Sequence, residues 1–246
     1  MSELVLREDT DGIAVLTLNR PGALNALSPS LFVELRGHVE TIARQTDSVG
    51  CVVLRGEGRS FSAGNDLKAI QAGDVPPTPQ FQADTVVKLE ALPQPVICEV
   101  QGHCYTGALE LALACDLLYC AESARFADTH GKFSMTPGWG MSQRLPRRIG
   151  PLKAKEMMFT GRVVSGPEAA ELGLANRCVP DAELRETVMQ LARDIVANSW
   201  HTLRGDKMLV NEGQNYTLAD GLRFERARGP GRGADLEERL KAFAKG

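Results

Sequence analysis

The chain has 246 residues, with 28 lysines and arginines against 31 aspartates and glutamates and a formal charge of −3. That length suits one large domain, or a domain with a helical appendage, and 43% hydrophobic with 24% charged residues excludes a disordered or low-complexity chain. So balanced a charge offers no broad basic field to a phosphate backbone, which argues against nucleic acid as a partner.

The N-terminal run Met1-Ser2-Glu3-Leu4-Val5-Leu6-Arg7-Glu8-Asp9 lacks the basic-then-apolar order of a secretory signal. The most apolar stretch, residues 108–121, carries Glu110 and Asp116 and is too short to cross a bilayer. Neither export nor a membrane partner is expected, and the reading is cytoplasmic. The cysteines (Cys51, Cys98, Cys104, Cys115, Cys120, Cys178) sit mostly in apolar segments, without C-x-x-C or zinc-like spacing, and read as reduced core residues. No metal site is expected.

In chain order, residues 12–18 are β-branched and apolar and predict a strand, closed by the turn Asn19-Arg20-Pro21-Gly22. Leu31, Leu35, Val39 and Ile42 recur at helical spacing behind Ser28 as N-cap and Pro29 at the first helical position. Residues 51–54 predict a second buried strand, and 56–65 a long glycine-bearing loop of the kind that carries chemistry on a rigid scaffold. The proline-rich residues 74–79 predict a mobile surface excursion before a helix over about 80–92. Residues 95–100 predict a third strand, a small-residue turn opens a helix near Gly107, and 116–120 predict a fourth strand. Beyond Gly150 the pattern is helical, with Ser165-Gly166-Pro167-Glu168 as a capping box and helices over 151–159 and 182–197.

The glycines do not spell a nucleotide site. Gly56-x-Gly58 runs on to Phe61 where a dinucleotide fingerprint needs glycine, and no Gly-Lys-Ser/Thr occurs. Gly140-Met141-Ser142-Gln143 continues to Arg144, which breaks the serine-hydrolase elbow.

Four segments stand out together: residues 19–27 (NRPGALNAL), 59–67 (RSFSAGNDL), 101–112 (QGHCYTGALELA) and 136–140 (TPGWG). In this order they resemble the crotonase (enoyl-CoA hydratase/isomerase) superfamily, and the resemblance extends over essentially the whole chain. It implies an α/β crotonase-like fold of repeated ββα turns, with residues 1–190 as the core. Residues 191–246 would form a C-terminal helical region that packs on the core and on neighbouring subunits, in a homotrimer or a dimer of trimers. The substrate implied is an acyl-CoA thioester, with coenzyme A entering as part of it and no tightly bound cofactor.

By the same resemblance the backbone amides of Asn65 and Gly107 form an oxyanion hole, where a thioester enolate needs preorganised N–H donors. A glycine at a helix N-terminus suits that task, because it permits close approach and adds the favourable end of the helix dipole. Glu110 follows three residues later, on the first turn of the same helix, and a carboxylate among Leu109, Leu111 and Ala112 is costly to bury without a role. In hydratases of the family this glutamate activates water.

His130 stands where such hydratases carry a second catalytic glutamate. It can deliver a proton to the α-carbon, partner the attacking water, or only line the pocket of an enzyme that needs one carboxylate. Asp128 can orient His130 or cap a turn, and the turn is the preferred reading. His103 reads as a structural residue in the turn after a strand. The resemblance further places coenzyme A against Ala23, Leu24, Ala63, Asp66 and Leu67, and the acyl end against Met135, Pro137 and Trp139. Gly22 replaces a charged residue common among relatives, which Arg20 or a basic residue from the C-terminal helices of a neighbouring subunit could offset; Arg147 and Arg148 read as a solvated face. The expected activity is addition of water to a 2-enoyl-CoA or its reversal. The alternatives are an enoyl-CoA isomerase, a thioester or carbon–carbon hydrolase, and a non-catalytic acyl-CoA-binding protein.

Overall fold

A computed structural model describes residues 3–244. Strand β1 (Val5–Thr10) pairs antiparallel with β2 (Ile13–Leu18) through the turn Asp11-Gly12. Both turn residues have positive φ, 50° and 79°, the Asp-Gly preference of a two-residue hairpin. β1 is absent from the sequence expectations: its charged residues Arg7, Glu8 and Asp9 and its exposed C-terminal half hide the strand pattern. From β2 onward the main sheet is parallel, adding β3 (Cys51–Gly56), β4 (Val96–Val100), β6 (Leu117–Ala121) and β9 (Arg177–Val179) in that spatial order.

Both faces of this sheet are covered, as parallel strands require. Ala14, Leu16, Leu18, Val52 and Leu54 face one apolar core, shared with helices α1 (Pro29–Ile42), α3 (Phe81–Glu90) and α4 (Gly107–Leu113). Short helix α2 (Leu67–Gln71) lies between α1 and α3 in the chain. Ile13, Val15, Cys51, Val53 and Ile97 face a second core, closed by Leu184, Val188 and Ala192 of α8 (Leu184–Val196). The period-two alternation along β2 and β3 sends neighbouring residues to opposite cores. α1 begins as expected, with Ser28 Oγ accepting from Leu31 N at 3.2 Å.

A second, small sheet joins β5 (His103–Tyr105), β7 (Arg125–Ala127) and β8 (Val164–Ser165), with β5 and β7 parallel. His103 is therefore in a strand rather than the expected turn; three residues are too few to show a period. Helices α5 (Met141–Ile149) and α6 (Pro151–Thr160) lie between β7 and β8 in the chain, and α7 (Gly166–Glu171) follows β8. α5 is a further unannounced element, because Pro146 and three arginines mask its pattern. Only half of the capping box forms: Ser165 Oγ accepts from Glu168 N, but the Glu168 carboxylate pairs with Arg162 at 2.7 Å.

The chain ends in α9 (Trp200–Gly213), α10 (Leu218–Arg228) and α11 (Leu236–Phe243). Trp200 seats α9 against the hairpin: a Cβ at Gly12 of its turn would stand 2.7 Å from the indole. Lys207 adds an ion pair to Asp116 at 2.7 Å. Neither α10 nor α11 buries a residue. No helix of the described residues is long and apolar enough to cross a membrane. All six cysteines are free, and burial raises the thiols of Cys51, Cys98, Cys104 and Cys120.

Candidate active site

Three loops meet beyond the C-terminal ends of β2, β3 and β4, where ligands bind in open parallel sheets. The middle loop, residues 57–66, is stitched to both neighbours. On one side Asn25, fully buried with φ of 53°, donates through Nδ2 to the carbonyls of Glu57 and Ser60 at 2.9 and 2.8 Å. Ala63 N donates to Leu24 O, and Leu27 N to Gly64 O. On the other side Phe61 N donates to Gln101 O and Ser62 N to His103 O.

This stitching fixes two backbone segments side by side. Gly64 has φ of +100°, and a Cβ there would lie 2.6 Å from Tyr105 O and 3.8 Å from Gly107 N. Only glycine permits that approach with that backbone. Among the described residues, the main-chain N–H groups of Asn65 and Gly107 donate to no other group of the chain. The residue before Gly107, Thr106, holds φ 53° and ψ −110°, a conformation that side chains disfavour. It is pinned by Thr106 N to Ala127 O at 2.8 Å and by a 2.5 Å contact between its hydroxyl and that of Thr129. Sequence reasoning missed Thr106 and Thr129, since neither residue type announces a backbone constraint.

Glu110 is 1% exposed on the first turn of α4. Its Oε1 accepts from Trp139 N at 2.8 Å and Met141 N at 3.0 Å, so the end of the 136–140 loop and the start of α5 hold the carboxylate through backbone amides. Its Oε2 lies 3.8 Å from Nε2 of His130. Burial pushes the Glu110 carboxyl above its ordinary value; the two amides and His130 pull it back only in part. His130 is also buried, and burial alone would depress its pKa. The hydrogen bond and charge of Asp128, with the charge of Glu110, outweigh that and raise it.

The Trp139 ring lies over Gly107: a Cβ at Gly107 would meet ring carbon Cζ3 at 2.5 Å. Phe32 of α1 backs the indole edge-on, ring centres 5.0 Å apart. Phe32 is a site-shaping residue that its helical core pattern hid. Of the other residues expected at the acyl end, Pro137 is half-buried and Met135 is 39% exposed. A cleft of about 890 Å³ opens beside Gly138, Trp139 and Gly140, with Ala83, Val87 and Met208 among its apolar walls; Glu110 and His130 lie outside it.

Ala23 and Leu24 sit on the first loop, Ala63 and Asp66 on the second and Leu67 at the start of α2, and Ala63 N donates to Leu24 O, which joins the two loops. Asp66 caps α2 through Ala69 N at 2.9 Å and pairs with Arg20 at 2.7 Å. Its burial is outweighed by these partners, which lower its pKa. Arg20 is thereby committed to the loop and is not the free cation expected to offset Gly22. Arg148 also differs from its expected solvated role: half-buried, it donates to Cys115 O at 3.0 Å. His103 is structural, paired to Ser60 Oγ at 2.9 Å. His38 and His201 meet the carbonyls of Val5 and Gly231. Among the described residues no group of three or more His, Cys, Asp or Glu is arranged to hold a metal ion.

The sequence profile of the enoyl-CoA hydratase/isomerase family matches residues 8–241. The Arabidopsis thaliana protein named "Probable enoyl-CoA hydratase 1, peroxisomal" is 35% identical over 91% of this chain and 84% of its own. The crystal structure of enoyl-CoA hydratase from Bacillus anthracis superposes with a TM-score of 0.92 at 34% identity, over 98% of this chain and 96% of that one. A monofunctional enoyl-CoA isomerase from Mycobacterium smegmatis superposes with a TM-score of 0.78 at 33% identity, over 89% of this chain and 98% of that one.

Proposed function

The chain belongs to the enoyl-CoA hydratase/isomerase family, and from that premise we propose that it adds water across the double bond of a 2-enoyl-CoA, or removes it from the 3-hydroxyacyl-CoA. The observation that carries this reading is the facing of Glu110 Oε2 and His130 Nε2 across 3.8 Å, beside the open amides of Asn65 and Gly107. That separation exceeds a direct hydrogen bond and suits two groups that share a small reactant between them.

With Glu110 ionised and His130 protonated, the carboxylate takes a proton from water as the water oxygen bonds the β-carbon. The double-bond electrons move onto the thioester oxygen, where the Asn65 and Gly107 amides hold the enolate. His130 then gives its Nε2 proton to the α-carbon, and return of the proton from Glu110 to His130 restores both groups. The raised pKa of Glu110 makes it a stronger base than an ordinary carboxylate, and the raised pKa of His130 favours its charged form.

Coenzyme A would lie along the rim of Ala23, Leu24, Ala63, Asp66 and Leu67, with the acyl end toward Met135, Pro137 and Trp139. We place the activity in the cytoplasm, in a homotrimer or dimer of trimers assembled through residues 191–246 with the core of residues 1–190. Leu152 and Phe159 on α6 and Leu218 and Phe243 on the last helices are each at least 80% exposed, which fits burial between subunits.

Incubating a panel of straight-chain and branched 2-enoyl-CoAs with the protein tests the activity. Products heavier by one water support hydration. Products of unchanged mass with a shifted double bond favour the isomerase reading, to which His130 in place of a second catalytic glutamate gives weight.

A further inference from the structure

Asp128 is buried at the end of β7, 1% exposed, two residues before His130. Its Oδ1 accepts from His130 N at 3.1 Å, which makes a local turn. The same oxygen is 2.6 Å from His130 Nδ1, a contact the turn does not need. Thr129, between them, is anchored to Thr106, with Thr129 N donating to its hydroxyl at 3.2 Å. The imidazole is thus fixed at one nitrogen by a carboxylate, while the other faces Glu110.

We propose that Asp128 is a positioning residue that keeps the His130 proton on Nδ1 and reserves Nε2 for exchange with the reacting species. A neutral imidazole carries one proton, and a carboxylate on Nδ1 holds it there. Nε2 is then the site that gains and loses the second proton, on the side of Glu110 Oε2. The negative charge of Asp128 also favours the imidazolium. The inference rests on His130 being the proton donor of the reaction proposed above.

The charged groups around His130 are few. Asp128 and the exposed Lys132, whose side chain lies beside Gly161, come from its own segment and Glu110 from α4. Arg144 of α5 is tied to Glu90, and Glu156 of α6 to Lys153 and Arg162. Among the described residues Asp128 is thus the one charged side chain hydrogen-bonded to the ring, with Glu110 3.8 Å from its other nitrogen.

The test is an NMR titration of the four histidines, with His130→Ala assigning the signal, in wild type and Asp128→Asn. Asparagine keeps an oxygen for the turn but removes the charge. We expect wild-type His130 to show Nδ1 protonated in the neutral ring, and Asp128→Asn to lower its titration midpoint by about one pH unit. The alkaline limb of kcat against pH should move down with it while KM changes less than about twofold. A neutral wild-type ring protonated on Nε2, an unmoved midpoint, or a moved midpoint with an unmoved alkaline limb overturns the assignment. The wild-type tautomer needs no variant, so the inference stays testable if Asp128→Asn misfolds. Wild type that turns over no enoyl-CoA refutes the hydratase reading instead, and the titration still decides whether Asp128 sets the tautomer and charge of His130.

Discussion

At the scale of single residues, the proposed reaction depends on two groups whose pKa values are both displaced upward. Glu110 must be ionised, so activity falls as pH drops through a value above its ordinary 4.5. His130 must be protonated, so activity falls again as pH climbs through a value above its ordinary 6.5. A bell-shaped kcat profile between these limbs is expected, and a rate that keeps rising past the alkaline limb would remove His130 as the acid. Glu110→Gln should lower kcat by about 10²–10⁴ while coenzyme A binding persists, measurable by calorimetry. Gly107→Ala places a methyl within 2.5 Å of the Trp139 ring and must shift one of them. A loss of about 10²–10³ in kcat is expected if the Gly107 amide stabilises the enolate; an unchanged rate would put the oxyanion donor elsewhere.

At the scale of elements, the features that organise the site differ in how visible they are. Ser28 and Pro29 state the start of α1 in the sequence, and the Ser28 hydroxyl does cap it. Ser28→Ala should cost about 1 kcal/mol, read as a lower urea midpoint with unchanged slope. The buried strands β2, β3, β4 and β6 are equally plain, because parallel strands covered on both faces read as unbroken apolar runs. β5 and β7 escape notice for the opposite reason. They are three residues long, stabilised by neighbours distant in sequence rather than by their own composition. The turn into α4 shows the same limit: Gly107 signals a close approach, but the strained Thr106 before it is held by Ala127 of β7 and by Thr129 just beyond that strand. Glu110 and His130 are recognisable as residue types in apolar or family-like settings. Their separation, and the role of the Trp139 and Met141 amides in fixing Glu110, arise only when α4, β7 and α5 meet.

For the whole molecule, the sheet supplies a rigid floor and the helical C-terminus an unfinished surface. α9 is anchored by Trp200 and Lys207, whereas α10 and α11 expose Leu218 at 81% and Phe243 at 86%. Such faces favour burial against other copies of the chain. Sedimentation should report a trimer or hexamer, and Leu218→Asp with Phe243→Asp should shift it toward smaller species; a wild-type monomer at micromolar concentration would contradict that assembly. The chemistry itself is tested most directly by running the reaction in deuterated water enriched in oxygen-18. Wild type should give a 3-hydroxyacyl-CoA with solvent oxygen at the β-carbon and one deuterium at the α-carbon, and Glu110→Gln and His130→Ala should both lose most of that rate. Deuterium incorporated without oxygen, or hydration that proceeds undiminished in either variant, would contradict a hydratase built on Glu110 and His130.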